Sequence, residues 1–544
     1  MYPLNPLHAI DAYKYGHFDQ YEPGTTKIYS NFTPRTDRLA PAGAFNDGKV
    51  VFFGLQPFLN QFLKKEFKRS FFKKPLEKVI KAYKRRVDSV LGPDVITVDH
   101  IAALHKLGYL PLRIKALAEG SVVPVGTPVF TVTNTVPEFF WLVNYIESVL
   151  SAEVWQASTA ATTARRFRKL FLEYADETGA PKEFVDFQGH DFSFRGLGGT
   201  DDTMKVGAGH LLSFNGTDSI LAIDFLEDFY KANSDVEMIG VSVPATEHSV
   251  MCQAGVDGEF ELFNRLISNQ PSGFLSLVSD GFDYWNVLTQ TLPRLKDKIM
   301  SRNGKVVIRP DSGDPVRIVV GYHVVKAESL DPDAWVEALD LVDPDGFMRE
   351  DEIAYEVGGK FYISDRHNHY QTTEVSEAEV KGSVQLLWET FGGTMNEQGF
   401  KSLDEHIGLI YGDSITLQRA EDILEGLKRK GFASNNIVFG IGSFTYQYVT
   451  RDTYGFAMKA TYSEVAGVAR NLFKDPKTGG GSNGTTKKSH KGMLRVELED
   501  GQYIVYQEQT PEQEAKGLLK RVFEDGRTYR VQSLADIRER VRNS

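Results

Sequence analysis

The chain has 544 residues, more than a single hydrophobic core usually serves, so two or more lobes are expected. Hydrophobic content of 41% and charged content of 25% are ordinary globular values and exclude a disordered chain. A net charge of −11 argues against nucleic acid as a partner, and the single cysteine, Cys252, excludes an internal disulfide or a thiolate metal cluster.

One cysteine fits a reducing, cytoplasmic setting. The first residues, "MYPLNPLHAIDAYKYGH", carry no basic stretch followed by an apolar run, so no leader is expected. Residues 1–150 mix short strands and helices. Within them, "LPLRIKALAEGSVVPVGTPVFTVTNT" (110–135) alternates apolar and polar residues between glycine turns, which predicts antiparallel strands. The apolar run "PEFFWLVNYIESVL" (137–150) is too short to span a bilayer and contains Glu138 and Glu147. It reads as a buried helix, and no membrane partner is expected. "TAATTARRFRKLFLEYADETG" (159–179) predicts an amphipathic helix ending at Gly179.

From there to about residue 450, strand-like and helix-like segments alternate. The strand candidates are "FVDFQGHDF", "GVSVPATEH", "FLSLVSD", "VVIRPDSG", "IGLIYGD" and "IVFGIGS". "DYWNVLTQTLPRLKDKI" and "LQRAEDILEGLKRKGF" read as helices between them. Repeated strand–helix units point to a parallel sheet or barrel. The acidic stretch 320–406 interrupts the rhythm and reads as an insertion of helix and hairpin. Its His-x-His pair, His367 and His369, reads as a surface loop rather than a metal site. The part after 450 contains a glycine- and lysine-rich loop (473–492), a strand pair turning at Asp500-Gly501, and a short final helix.

Each strand candidate is apolar along its length and polar just past its C-terminal end. These ends supply His190, Asp191, Phe192 and Arg195; Glu247 and His248; Asp280; Arg309 and Asp311; Gly412 and Asp413; and Gly440, Gly442 and Ser443. In an α/β barrel such ends share one rim, where active sites are built. Carboxylates with an arginine suit a polyhydroxylated sugar. Glycines after strands free backbone N–H groups for phosphate. A histidine beside carboxylates can serve as a base or a nucleophile.

At these residues the chain resembles the nicotinamide phosphoribosyltransferases of the type II phosphoribosyltransferase family. The matching segments are "DAYKYGH" (11–17), "HDFSFRG" (190–196), "FNGTDS" (214–219), "SVPATEHS" (242–249), "LVSDGFD" (277–283), "IRPDSG" (308–313), "YGDSI" (411–415) and "FKDP" (473–476). The resemblance covers most of the chain apart from 320–406. It implies an irregular TIM-like α/β barrel (151–450) with a second, smaller α+β lobe formed from both chain ends (1–150 and 451–544).

It also implies joining nicotinamide to phosphoribosyl pyrophosphate in NAD salvage. Phe192 would stack on the pyridine ring and Tyr13 of a second subunit would cover the other face. Asp218 would accept from the carboxamide, with Arg195 nearby. Arg309 and Asp311 would hold the ribose. Gly412, Asp413, Gly442 and Ser443 would surround the 5′-phosphate. Arg35, Arg451, Lys459, Lys474 and Lys487 would meet the pyrophosphate, largely across a homodimer with shared active sites. His248 would be phosphorylated by ATP, a co-substrate, with Asp280 orienting it. Mg2+ would travel on the pyrophosphate, with Asp280 and Asp311 as its candidate protein ligands. Ala457 stands where the resemblance leads one to expect a serine, and "GIGSF" (440–444) holds fewer glycines than expected.

The nearest rival is a nicotinate phosphoribosyltransferase, against which Asp218 argues by charge repulsion. An aldolase would need a lysine at a strand end. A catalytically dead binding protein would not need His248, Asp280, Arg309 and Asp311 together. A type I phosphoribosyltransferase lacks its signature here, and a dehydrogenase its Gly-x-Gly-x-x-Gly.

Overall fold

A computed structural model describes residues 4–41, 45–342, 352–365, 368–474 and 489–544. Its central element is the parallel sheet predicted from the strand–helix rhythm. Six strands lie in the order Gly216–Thr217, Gly189–Asp191, Val438–Ile441, Ile407–Tyr411, Val306–Arg309 and Leu275–Val278. Every pairing among them is parallel. The sheet curls. The segment after Gly240 bridges one edge at Gly216↔Val241 and the other at Ala245↔Ser276, so it closes the ring without forming a regular strand.

Two sequence expectations are corrected here. "GVSVPATEH" contributes only these bridges, because Pro244 has no N–H for a ladder and lies in mid-segment. "FVDFQGHDF" splits into a helical turn, Val185–Gln188, and the strand Gly189–Asp191. A short apolar run does not distinguish the two states.

The helix predicted over 159–179 begins earlier, at Glu147, and runs to Thr178, where Gly179 in the left-handed conformation ends it. The apolar run 137–150 is correspondingly not one helix but a 3-10 turn, Pro137–Phe139, a short helix, Leu142–Tyr145, and the start of this long one. Leu150 and Val154 lie in the core of the small lobe, and Ala164, Phe167 and Phe171 lie in the barrel core. One helix therefore ties the two lobes together.

The small lobe is a seven-stranded antiparallel sheet. Its order is Val468–Asn471, Ala457–Val465, Thr25–Thr33, Phe130–Asn134, Leu112–Ala116, Lys520–Glu524 and Arg527–Thr528. Strands from both chain ends interleave in it, as expected. Ala457 pairs with Thr33 inside the sheet. The predicted hairpin forms as Met493–Glu499 with Gln502–Gln509, and Asp500 and Gly501 both take positive φ.

Within 320–406 a separate four-stranded sheet, Val324–Lys326, Glu352–Val357, Lys360–Asp365 and Asn368–Val375, packs on the helix Pro332–Val342, with Trp335 stacked on Tyr355. Its neck is narrow. Gly321 and Gly382 touch backbone to backbone at positive φ, and a Cβ on Gly382 would lie 2.4 Å from the Gly321 nitrogen. After the neck, Ser383–Phe391 returns to the barrel core through Val384, Leu387 and Phe391. His367 lies outside the described residues. No helix among the described residues is long and apolar enough to cross a membrane.

Candidate active site

Strand ends on the curled sheet bring Phe192, Asp218, Arg309, Asp311, Asp280, His248, Gly412 and Ser443 to one rim. Phe192 follows the strand Gly189–Asp191 and its N–H donates to Ile441 O at 3.0 Å, extending the pairing by one residue. Buried Asp191 fixes the loop that carries Phe192. It accepts from the Ser193 N–H and hydroxyl at 2.9 and 2.6 Å, and from Thr217 Oγ1 at 3.2 Å.

The Phe192 ring lies on two glycines. A Cβ on Gly440 would sit 2.5 Å from Phe192 Cδ2, and one on Gly412 would sit 3.5 Å from Phe192 Cε2 and 2.5 Å from Asp311 Oδ1. These glycines are needed for the close approach of side chains, a role that the phosphate reading of the sequence did not include. At Gly442, by contrast, a Cβ would meet nothing within 4 Å. Gly442 caps the short helix Ser443–Tyr446, and the Ser443 side chain packs against Gly196.

The Arg309 guanidinium lies 5.9 Å from the Phe192 ring centre and donates to Thr246 O at 2.6 Å. Its Nε is buried without a hydrogen-bond partner and stands 3.9 Å from Asp311 Oδ1. An orphaned donor beside an unshared carboxylate is the signature of a place kept for a ligand. Burial pushes the Asp311 carboxyl above its ordinary value. The negative charges of Asp280 and Asp413 add to this, against the pull of Arg309 and His248.

Asp280 behaves in the opposite way. Burial works to raise it, but hydrogen bonds from Ser312 and the Asp311 N–H (2.9 Å), with the pull of His248, leave it below the ordinary carboxylate range. Its Oδ1 faces His248 Nε2 at 3.2 Å. A carboxylate only accepts, so Nε2 carries the proton in this bond. Asp413 is exposed on the turn after Ile407–Tyr411.

Further along the rim, Asp218 Oδ1 accepts from His190 Nε2 at 2.9 Å and from Ser242 Oγ at 2.5 Å. Burial would raise its carboxyl, but these bonds, the His190 interaction and Arg309 hold it below the ordinary value. His190 also packs on Phe192, ring centres 4.8 Å apart. Neither His190 nor Ser242 was assigned to this carboxylate from sequence. His190 is visible there as a polar strand end, and Ser242 carries no signal of its own. Arg195 is exposed on the turn after Phe192 and contacts none of these groups.

The remaining candidates form a second cluster on the small lobe. Arg35 donates from Nε to Gly455 O at 3.0 Å, Arg451 pairs with Asp452, and Lys459 lies on Ala457–Val465. Lys459 is lowered by burial and by the like charges of Arg35, Arg451 and Lys474, against the pull of Glu147. Cations held together in this way are suited to a multiply charged anion. Tyr13, 62% exposed, belongs to the same electrostatic neighbourhood through Arg451 and Glu147. Lys487 falls outside the described residues. Among the described residues no side-chain hydrogen bond, ion pair or ring contact joins this cluster to the barrel rim of the same chain.

Among the described residues no three His, Cys, Asp or Glu side chains converge as a metal site. Asp280 is committed to protein partners, whereas among the described residues nothing donates to the Asp311 carboxylate. The residues fit a magnesium ion carried in on a diphosphate, with Asp311 free to meet it.

Polar strand ends gathered on one rim of a curled parallel sheet, with a cation cluster on the second lobe, suit a barrel-type transferase acting on a phosphorylated sugar. Residues 187–527 match the model of the nicotinate phosphoribosyltransferase (NAPRTase) family, and the chain belongs to that family. Residues 5–114 match the nicotinamide phosphoribosyltransferase N-terminal domain. The chain is 49% identical to a nicotinamide phosphoribosyltransferase of Acinetobacter baylyi, over 99% of this chain and 97% of that one. It is 33% identical to a protein of the same name from Mycoplasma pneumoniae, over 87% and 93%. In fold it is similar to a nicotinate-nucleotide pyrophosphorylase from Pyrococcus furiosus, with a TM-score of 0.50 at 14% identity, covering 100% of this chain and 97% of that one.

Proposed function

We propose that the chain transfers a phosphoribosyl group from phosphoribosyl pyrophosphate to nicotinamide, giving nicotinamide mononucleotide and pyrophosphate in cytoplasmic NAD salvage. The observation that carries this reading is the ionised Asp218, joined to the Phe192 ring through His190. A carboxylate there accepts from a carboxamide and repels the carboxylate of nicotinate. The family name leaves nicotinate as the second reading, and Asp218 is the residue that weighs against it.

The ring nitrogen of nicotinamide attacks the anomeric carbon as its bond to the pyrophosphate oxygen breaks, and the electron pair leaves with pyrophosphate. Positive charge builds on the ribose. Asp311 stabilises it at the sugar, and Arg309 holds the hydroxyls in line. Arg35, Arg451, Lys459 and Lys474 neutralise the leaving group. Magnesium, when bound, adds Lewis-acid charge on the pyrophosphate. His248 would take the γ-phosphoryl group of ATP on Nδ1, with ADP leaving, while Asp280 holds Nε2–H. Because the cation cluster and Tyr13 are separate from the rim of their own chain, the complete site would be shared across a homodimer.

The test is a turnover assay with phosphoribosyl pyrophosphate and magnesium, comparing nicotinamide with nicotinate, each with and without ATP. Mononucleotide from nicotinamide alone, stimulated by ATP in the parent and not in His248→Ala, is the expected result. Preferential turnover of nicotinate overturns the role of Asp218. Turnover of nicotinamide without any ATP effect removes the phosphohistidine step.

A further inference from the structure

His190 and Ser242 both spend their donors on one oxygen of Asp218. Nε2 of His190 lies 2.9 Å and Oγ of Ser242 lies 2.5 Å from Oδ1, and among the described residues nothing donates to Oδ2. A free carboxylate on a single bond rotates and offers either oxygen. Two donors from opposite directions in the chain, one on the strand Gly189–Asp191 and one in the segment that closes the ring, fix its plane. They leave Oδ2 as the oxygen still free to accept.

The imidazole is itself held. A Cβ on Gly216, the strand neighbour of His190, would lie 2.7 Å from His190 Nδ1. The ring therefore lies against backbone that only glycine leaves open, and its side chain is 12% exposed. Its other face meets Phe192 at 4.8 Å. One imidazole thus braces both the aromatic wall and the carboxylate.

We propose that His190 and Ser242 are positioning residues for substrate selection: they aim one Asp218 oxygen at the amide N–H2 and make the pocket select a carboxamide over a carboxylate. The proposal rests on the nicotinamide reading above. Neither residue touches the reacting atoms. Their effect passes through Asp218, so it falls on recognition of the base rather than on glycosyl transfer.

The experiment measures KM and kcat for nicotinamide, and any turnover of nicotinate, in His190→Leu, His190→Gln and Ser242→Ala. Each is made alone and in an Asp218→Asn background, and melting temperatures are followed in parallel. A glutamine places its amide nitrogen near the position of imidazole Nε2 and restores a donor. Charge-assisted hydrogen bonds of this type support a rise in nicotinamide KM on the order of 10-fold in His190→Leu, with kcat changed less. His190→Gln recovers most of the loss. Ser242→Ala, in a separate segment, shifts KM in the same direction, and nicotinate discrimination narrows in both.

In the Asp218→Asn background the same substitutions add little, because the group through which they act has changed. Equal losses in the leucine and glutamine variants, full additivity with Asp218→Asn, or a fall in kcat alone would each overturn the proposal. If the parent itself turns over nicotinate or nothing, the functional reading has failed instead, and that is seen before any variant is made.

Discussion

Gly440→Ala is the most informative single substitution at this site. The added Cβ would stand 2.5 Å from Phe192 Cδ2, 2.8 Å from Phe192 Cε2 and 2.8 Å from the Gly412 Cα. Ordinary contact begins near 3.4 Å, so the ring must retreat by about 0.9 Å, or the strand ends must part. Overpacking of this kind costs about 1–3 kcal/mol. Gly440 does not have a positive φ, so the effect is steric and not a matter of backbone strain. The ring is one wall of the proposed pyridine slot, and base stacking on it is worth about 0.5–1.5 kcal/mol. A displacement near 1 Å can remove on the order of 100-fold in rate. The expected result is a nicotinamide KM raised about 10-fold and a kcat/KM lowered by about 10- to 100-fold, with a modest loss of melting temperature. Steady-state kinetics with nicotinamide as the varied substrate reads this directly. In Phe192→Leu the shorter side chain frees the space, so adding Gly440→Ala there should cost less than in the parent. Parental KM and parental melting temperature in Gly440→Ala would refute the reasoning, since the ring would then not be held where the glycine admits it.

Three further outcomes follow from the geometry. Asp413 raises the Asp311 carboxyl, so Asp413→Asn should move the acid limb of the pH–kcat/KM profile to lower pH. Arg309 lowers it, so in Arg309→Leu any residual activity should lose its acid side at higher pH. The sign follows from Asp311 acting as an anion: activity is present above its folded pKa and lost as pH falls through it. Tyr13→Ala and Phe192→Ala, each impaired alone, should rise toward about one quarter of parental activity when co-refolded, because random pairing gives half the dimers one intact site; no rise above the two variants alone contradicts a shared site. Lys430 donates to the carbonyls of Val320, Val380 and Lys381 at the neck of the inserted sheet, and burial, with Arg317 and Arg429 nearby, lowers its pKa to about 8. Lys430→Met leaves these carbonyls short of donors at about 1–3 kcal/mol; limited proteolysis should cut between 320 and 382 faster than in the parent, and equal rates would show that the glycine crossing alone holds the neck.

The barrel was legible in the sequence because parallel strands are buried on both faces and write themselves as apolar runs, as in Leu275–Val278, Val306–Arg309 and Ile407–Tyr411. The closing segment at 241–245 was harder, since it pairs through isolated bridges around a proline and has no ladder period to detect. The types of residue at the rim were legible too: a polar group past each strand end announces itself in one dimension. What each group pairs with is a property of register. His190 meets Asp218 and Gly440 admits Phe192 because the strands Gly189–Asp191, Gly216–Thr217 and Val438–Ile441 align as they do. The partition of the site follows the same logic. Phe192, Asp218, Arg309 and His248 follow the strands and the closing segment of one curled sheet, whereas Tyr13, Arg35, Arg451 and Lys459 come from the lobe built from both chain ends. On the proposed reading, a single chain thus carries its base and ribose residues on one lobe and its pyrophosphate cations on the other. The proposed chemistry needs both at one anomeric carbon, and the proposed homodimer would bring a second copy's cations to the rim, which is what complementation between Tyr13→Ala and Phe192→Ala tests.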